Sequence, residues 1–175
     1  MEMKTLIAYY SFSGNNEKLA AELQRRLKCD ILKIEELKKR IKLSILLDLV
    51  FHRSAKLKKT DTDLKLYDNI ILIAPVWAGK IGTPMQSFML QEQNNIVKYA
   101  FITLCSGVAG QREKIQKFLE KLFQRKAVIV EELWVNDLLP LEKRDKIRYT
   151  TPYRIKREDW KVFNSKIDEF LKVVK

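Results

Sequence analysis

Five short apolar runs, each followed by a stretch with helical or turn character, constrain this chain more than anything else in it. They are "KTLIAYY" (4–10), "CDILKI" (29–34), "NIILIA" (69–74), "YAFITL" (99–104) and "AVIVEELWV" (127–135). Between them, residues 15–27 place Leu19, Ala20, Leu23 and Leu27 at helical spacing, and 111–124 do the same with Ile115, Phe118, Leu119 and Leu122. Pro84 suits the first turn of a helix carrying Met85, Phe88, Met89 and Leu90. Helices are also expected over 36–51 and over 158–173, with a polar, irregular stretch at 136–157. Alternating strands and helices predict a mostly parallel sheet with helices on both faces. Near-continuous apolar strands fit that arrangement, because each parallel strand is covered on both sides. The expectation is a three-layer α/β/α sandwich with a five-stranded parallel sheet, folded as one domain over residues 1–175.

Charge and cysteine content narrow the class. The formal net charge is +12, from 34 Lys and Arg against 22 Asp and Glu, which favours an acidic partner. The densest basic runs, "LKKRIK" (37–42) and "KLKK" (56–59), lack the interleaved aromatics of a single-strand binder, so nucleic acid is not the expected partner. No apolar run approaches the roughly 20 residues of a membrane span. "MEMKTLIAYYS" opens straight into a strand, and no signal peptide is expected. Two cysteines, Cys29 and Cys105, make no disulfide framework and point to a reducing, cytoplasmic setting. His52 is the only histidine, so a Ser–His–Asp triad or a histidine metal site has little material. Any chemistry then falls to a bound cofactor.

In open parallel sheets, ligands sit beyond the carboxyl ends of the strands, where strand order reverses. Three loops at that end are rich in glycine and serine: "SFSGNN" (11–16), "PVWAGKIGTP" (75–84) and "CSGVAG" (105–110). In the first, Gly14 permits a turn that aims several N–H groups at one point, and Ser11, Ser13 and Asn16 add side-chain donors. The positive end of the following helix converges on the same place. That set suits a monophosphate; a plain helix cap by Ser13 or Asn15 is the alternative. It is neither a GK[ST] phosphate loop nor a GxGxxG turn. In the second loop, Trp77 offers a face for a flat heteroaromatic ring, Gly79 and Gly82 let backbone come close, and Lys80 brings positive charge.

"YYSFSGNNEKLA", followed by "IILIAPVWAGKIGTPM", resembles the flavodoxin family. The resemblance covers the chain to about residue 135 and, more weakly, the last helix. It implies strand order 2-1-3-4-5 and a non-covalently bound FMN. The family's first loop follows T/S-x-T/S-G-x-T; Ser11, Ser13, Gly14 and Asn15 match, and Asn16 stands where the family has Thr. By that resemblance Ser11, Phe12, Ser13, Gly14, Asn15 and Asn16 hold the phosphate. Pro75, Val76, Trp77, Ala78 and Gly79 frame one side of the ring, and Cys105, Ser106 and Gly107 the other.

The implied role is electron transfer to a redox partner protein or a small-molecule acceptor of acidic character. Two alternatives remain open. One is a flavin-dependent oxidoreductase acting on a quinone or a porphyrinogen-type substrate; the other is a flavin-free binding module on the same fold. Three features depart from the family. The chain is basic where carrier flavodoxins are acidic. The third loop lacks an aromatic, which leaves one ring face open. Residues 37–59 read as a helix with the apolar middle "ILLDLVF" between basic clusters: a crossover helix, a dimer contact, a lid or a peripheral membrane contact. The segment 136–158 is long for a loop, and either covers the pocket or recognises an acidic substrate.

Overall fold

The structure, a computed structural model, describes residues 3–38 and 54–175. Five parallel strands form one sheet: β1 (Thr5–Tyr9), β2 (Asp30–Lys33), β3 (Asn69–Ile73), β4 (Tyr99–Cys105) and β5 (Val130–Trp134). Their spatial order is β2-β1-β3-β4-β5, the arrangement expected. β1 lies at the reversal point. Its Ile7 is level with Ile31 on one side and Ile71 on the other.

Side chains alternate across the sheet with the two-residue period of a strand, which builds a core on each face. Leu6, Ala8, Leu72 and Phe101 pack with α2 (Thr83–Glu92) and α3 (Gln111–Phe123) through Met85, Phe88, Met89, Ile115, Leu119 and Phe123. Ile7, Tyr9, Ile71 and Ile73 face the other way. They meet Leu19 and Leu23 of α1 (Asn15–Leu27) and Phe163, Ile167 and Phe170 of α4 (Trp160–Val174). Leu19 and Leu23, four apart on one face of α1, are fully buried. Each contributes about 1.5–3 kcal/mol by leaving water. Pro84 occupies the first turn of α2 as expected. Among the described residues no helix is long and apolar enough to cross a membrane.

Four local expectations change. The stretch 75–84 is not an open loop. Val76–Trp77 and Lys80–Ile81 form an antiparallel ribbon, with Trp77 opposite Lys80. Ala78 (φ 48°) and Gly79 (φ 75°) make its two-residue turn, and two left-handed residues are what the twist of a hairpin asks for. The fifth strand is shorter than 127–135, although the Val128 N–H already donates to the Tyr99 carbonyl at 2.8 Å. The helix expected from residue 36 lies largely outside the described residues. Those of it that are described are not helical: Glu36 pairs antiparallel with Leu57. Likewise 54–59, expected as the end of a 37–59 helix, run without helical structure beside α2, where the Ala55 N–H donates to Ser87 Oγ at 2.9 Å.

The stretch 136–157 is irregular, as expected, but ordered into short turns at Val135–Leu138, Leu141–Lys143 and Ile147–Thr150.

Candidate functional site

The first loop leaves β1 at Tyr9 and enters α1 at Asn15. Gly14 forms the corner with φ 88°, a left-handed conformation that costs a residue with a Cβ about 1–2 kcal/mol. The Gly14 N–H donates to Ser11 Oγ at 3.1 Å, which folds the loop back on itself. Glycine has no side chain to cap the helix, and no other residue caps it. The N–H groups of Asn15, Asn16 and Glu17 therefore take no partner among the described residues. They stand at the positive end of α1, where the loop enters the helix. The helix-cap alternative does not hold, since neither Ser13 nor Asn15 caps α1.

The two asparagines are not side-chain donors to a ligand here. Asn16, 2% exposed, grips β4: its Nδ2 donates to the Leu104 carbonyl at 3.2 Å and its Oδ1 accepts the Leu104 N–H at 2.9 Å. Asn15 grips the late segment in the same way, donating to the Tyr153 carbonyl at 3.0 Å and accepting the Ile155 N–H at 3.1 Å. Lys18 Nζ adds a bond to the Ile155 carbonyl at 2.7 Å. What the asparagines leave free at the start of α1 is backbone N–H. Glu17 would bring unwelcome negative charge, but Lys33 Nζ sits 2.7 Å from its carboxylate and Tyr9 donates to it at 3.1 Å. The Lys33 bond holds the Glu17 carboxyl below the usual range.

The ribbon that follows β3 stands beside this loop. The Trp77 ring meets Tyr10 and Phe12 edge-on, with centroids 6.2 and 6.0 Å apart. Pro75 and Val76 lead into it and are partly exposed. Gly82 has a different task from the one expected: a Cβ there would press on Pro75 and Trp77 at 3.3–3.4 Å, so its smallness closes the ribbon. Lys80 is exposed on the strand opposite Trp77.

The third loop starts at Cys105, whose thiol turns inward. Its Sγ accepts from Gln111 Nε2 at 3.3 Å and lies 3.8 Å from the buried Glu132 carboxylate. Burial first, and the Glu132 charge second, push the thiol up to about 12. Cys105 is thus a proton-holding core thiol, and only its backbone lies at the strand end. Gly107 is buried with φ 91°, and an added Cβ would lie 2.7 Å from Trp134. Trp134 was not among the expected site residues. It backs the loop from the end of β5, with its indole N–H 3.4 Å from Glu132 and Lys166 over its ring at 5.6 Å. Asn136 ties the outer side, its N–H donating to the Ser106 carbonyl and its Nδ2 to the Gly107 carbonyl, both at 3.3 Å.

Two measurable consequences follow. Gly107→Ala should lower stability by about 2–4 kcal/mol, the sum of crowding and a left-handed non-glycine residue. Urea unfolding of Gly107→Ala with and without Trp134→Leu checks this, because only the crowding part should be relieved by the second change. Alkaline pH supplies the other. Cys105 and Tyr153 both have folded-state values raised to about 12, Tyr153 through burial and its bond to Asp159. The protonated forms are favoured in the fold. Their stabilisation is full below the unfolded values, near 9 for thiol and 10 for phenol, and is lost as pH climbs toward 12. Thermal midpoints should fall from pH 9 upward, and Cys105 should resist alkylation at pH 8 until the chain unfolds.

Two cavities, of about 330 Å³ beside β2 and α2 and about 730 Å³ at the amino ends of the strands, lie away from these three loops. The loops are joined by position instead. They stand at the carboxyl ends of β1, β3 and β4, around the reversal of strand order.

The flavodoxin domain family matches residues 47–134, half of the chain, and the chain belongs to that family. No curated protein matches it. Among solved structures, a flavoprotein from Lactobacillus acidophilus in complex with FMN is 20% identical. That likeness covers 74% of this chain and 93% of the other, with a TM-score of 0.62. The apo-form of the flavoprotein from the same organism gives 22%, 75%, 93% and 0.60. A flavodoxin, WrbA-like protein from Agrobacterium tumefaciens is 14% identical, covering 99% of this chain and all of the other, with a TM-score of 0.54.

Proposed function

We propose that the protein binds FMN non-covalently between the three carboxyl-end loops and transfers electrons through it. The observation that carries this reading is the uncapped start of α1 behind a left-handed Gly14, where three successive N–H groups have no partner among the described residues. A dianionic phosphate is the ligand such a nest suits. The N–H groups of Asn15, Asn16 and Glu17 hold it, with the hydroxyls of Ser11 and Ser13. Ser11 accepts from Gly14 and so still has its own proton to donate.

Trp77, beside Tyr10 and Phe12, offers an aromatic wall for the ring, with Ala78 and Gly79 at the ribbon's turn. Ser106 and Gly107 form the facing side, held in place by Trp134 and Asn136. Bound flavin supplies one- and two-electron chemistry. This chain's residues position it, exclude water and set the local charge. Lys80, level with Trp77, favours an anionic reduced ring. The FMN-bound Lactobacillus acidophilus structure supports the cofactor assignment by fold. The net charge of +12 supports an acidic redox partner or acceptor.

The visible spectrum of freshly purified protein tests the reading. Flavin absorbance, or its appearance on adding FMN, and release of FMN rather than FAD on denaturation are expected. Protein that stays colourless in excess FMN overturns it.

A further inference from the structure

The segment from Asn136 to Ile155 is tied down at both ends to the loops just described. At one end Asn136 holds the third loop through Ser106 and Gly107; its amide also clamps Asp145, donating to Oδ1 at 2.7 Å and accepting the Asp145 N–H at 3.0 Å. At the other end Asn15 and Lys18 hold Tyr153 and Ile155. Between these anchors the chain makes a compact knob. Lys146 Nζ reaches the Glu142 carbonyl at 2.7 Å and joins its two short turns. Lys143 and Arg148 both lie over the Tyr149 ring, at 5.7 and 4.8 Å.

The outside of the knob has an unusual composition for a water-facing surface. Leu141 and Ile147 are each 79% exposed, more than any other large apolar side chain among the described residues. Within two residues of one or the other lie Lys143, Lys146 and Arg148, all exposed. Over 141–157 there are seven Lys and Arg residues against Glu142 and Asp145, and the Asp145 carboxylate is already occupied by Asn136. Exposed aliphatic side chains flanked in sequence by exposed cations match the boundary of an anionic bilayer, where acyl chains take the former and headgroup phosphates the latter. An acidic protein surface is the competing occupant; the highly exposed pair of aliphatic tips favours lipid, into which they can insert without a matching pocket.

We infer that the 141–148 knob is a membrane-docking surface for anionic lipid. Through its two asparagine anchors it sets the carboxyl-end loops against the bilayer. The surface stands on its own residues and does not require a bound flavin.

Flotation of the full chain with extruded vesicles tests this, with phosphatidylcholine alone or with added phosphatidylglycerol. Binding to the anionic vesicles should be about tenfold stronger or more and should weaken as salt is raised. Leu141→Ser with Ile147→Ser should lower it about tenfold, since acyl-boundary contact is lost while charge is kept. Lys143→Glu, Lys146→Glu and Arg148→Glu together should lower it further. Three reversals on exposed α3 positions, Lys114→Glu, Lys117→Glu and Lys121→Glu, change net charge equally and should leave most binding intact. Circular dichroism melts confirm that each variant is folded. Equal binding to neutral and anionic vesicles overturns the proposal. So does an effect of the α3 reversals as large as that of the knob reversals, or full binding by the aliphatic variant. Retention on poly-L-glutamate without vesicle binding also overturns it, in favour of an acidic protein. None of these results bears on whether FMN binds, which the spectrum reads separately.

Discussion

Gly14→Val should lower affinity for FMN by about 10²–10⁴-fold while the sheet remains folded. Space is not the reason, because a Cβ at Gly14 would meet nothing within 4 Å. The reason is φ 88°, which a β-branched residue resists. To relax, the corner must rotate. The Gly14 N–H then leaves Ser11 Oγ, and the N–H groups at the start of α1 no longer converge. A hydrogen bond to a charged group contributes roughly 1.5–3 kcal/mol, so losing two of them accounts for the predicted range. Fold stability should drop by only about 1–2 kcal/mol, the strain of one left-handed residue. Fluorescence titration with FMN, beside a urea melt of the same variant, separates the two effects. An affinity within a few-fold of the parent would mean that the corner does not shape the site.

Asn16→Leu should act in the opposite sense, on stability far more than on the ligand. The leucine keeps the branched skeleton of the amide, although its two methyl groups are bulkier and add some crowding. What is lost is the pair of bonds to the Leu104 backbone, in a place only 2% exposed. That leaves a buried N–H and a buried carbonyl without partners, at roughly 1–3 kcal/mol each. A loss of about 4 kcal/mol is expected, which for a chain of this size is roughly 8–16 °C in thermal midpoint. Calorimetry of the variant checks it. If the midpoint barely moves while FMN affinity falls sharply, Asn16 contacts the ligand through its side chain.

The contrast between these neighbours shows where sequence reasoning reached and where it stopped. Strand–helix alternation and local turn chemistry act over a few residues. Hence α1 occupies residues 15–27, as its Leu19–Leu23 spacing says, and the sheet has the expected order. Gly14 was legible for the same reason, since a glycine between a strand and a helix marks a corner. The asparagine roles were not legible. Asn16 meets Leu104 across 88 residues and Asn15 meets Tyr153 across 138. A motif places both beside a phosphate but does not reveal that their amides are already engaged.

Trp134 is a similar case. In the run "AVIVEELWV" it reads as one more strand residue, and only the adjacency of β4 and β5 presses it against Gly107. The ribbon at Val76–Ile81 was missed because its turn is Ala-Gly, with alanine accepting φ 48°, and not the Asn-Gly that advertises a hairpin. Residues 54–59 look helical by composition, yet Leu57 finds Glu36 as a backbone partner, a tertiary pairing that overrides local preference.

Glu132 is a buried acidic side chain whose carboxylate is met by neutral donors among the described residues; Lys166 Nζ reaches only its backbone carbonyl, at 3.4 Å. Glu132 is 4% exposed and takes hydrogen bonds from Gln111, Trp134 and Cys105. Neutral donors thus satisfy the carboxylate while fixing the start of α3, the backing of the third loop and the protonated state of the thiol. The third loop is thus held from behind.

Comparative titration of the protein with FMN and with riboflavin, read by quenching of flavin fluorescence, tests the central claim most directly. The two ligands share the ring and the ribityl chain and differ in the phosphate alone. If the N–H groups behind Gly14 grip a dianion, FMN saturates one site and riboflavin binds at least about a hundredfold more weakly. Equal affinity for both, or no quenching of FMN, would contradict it.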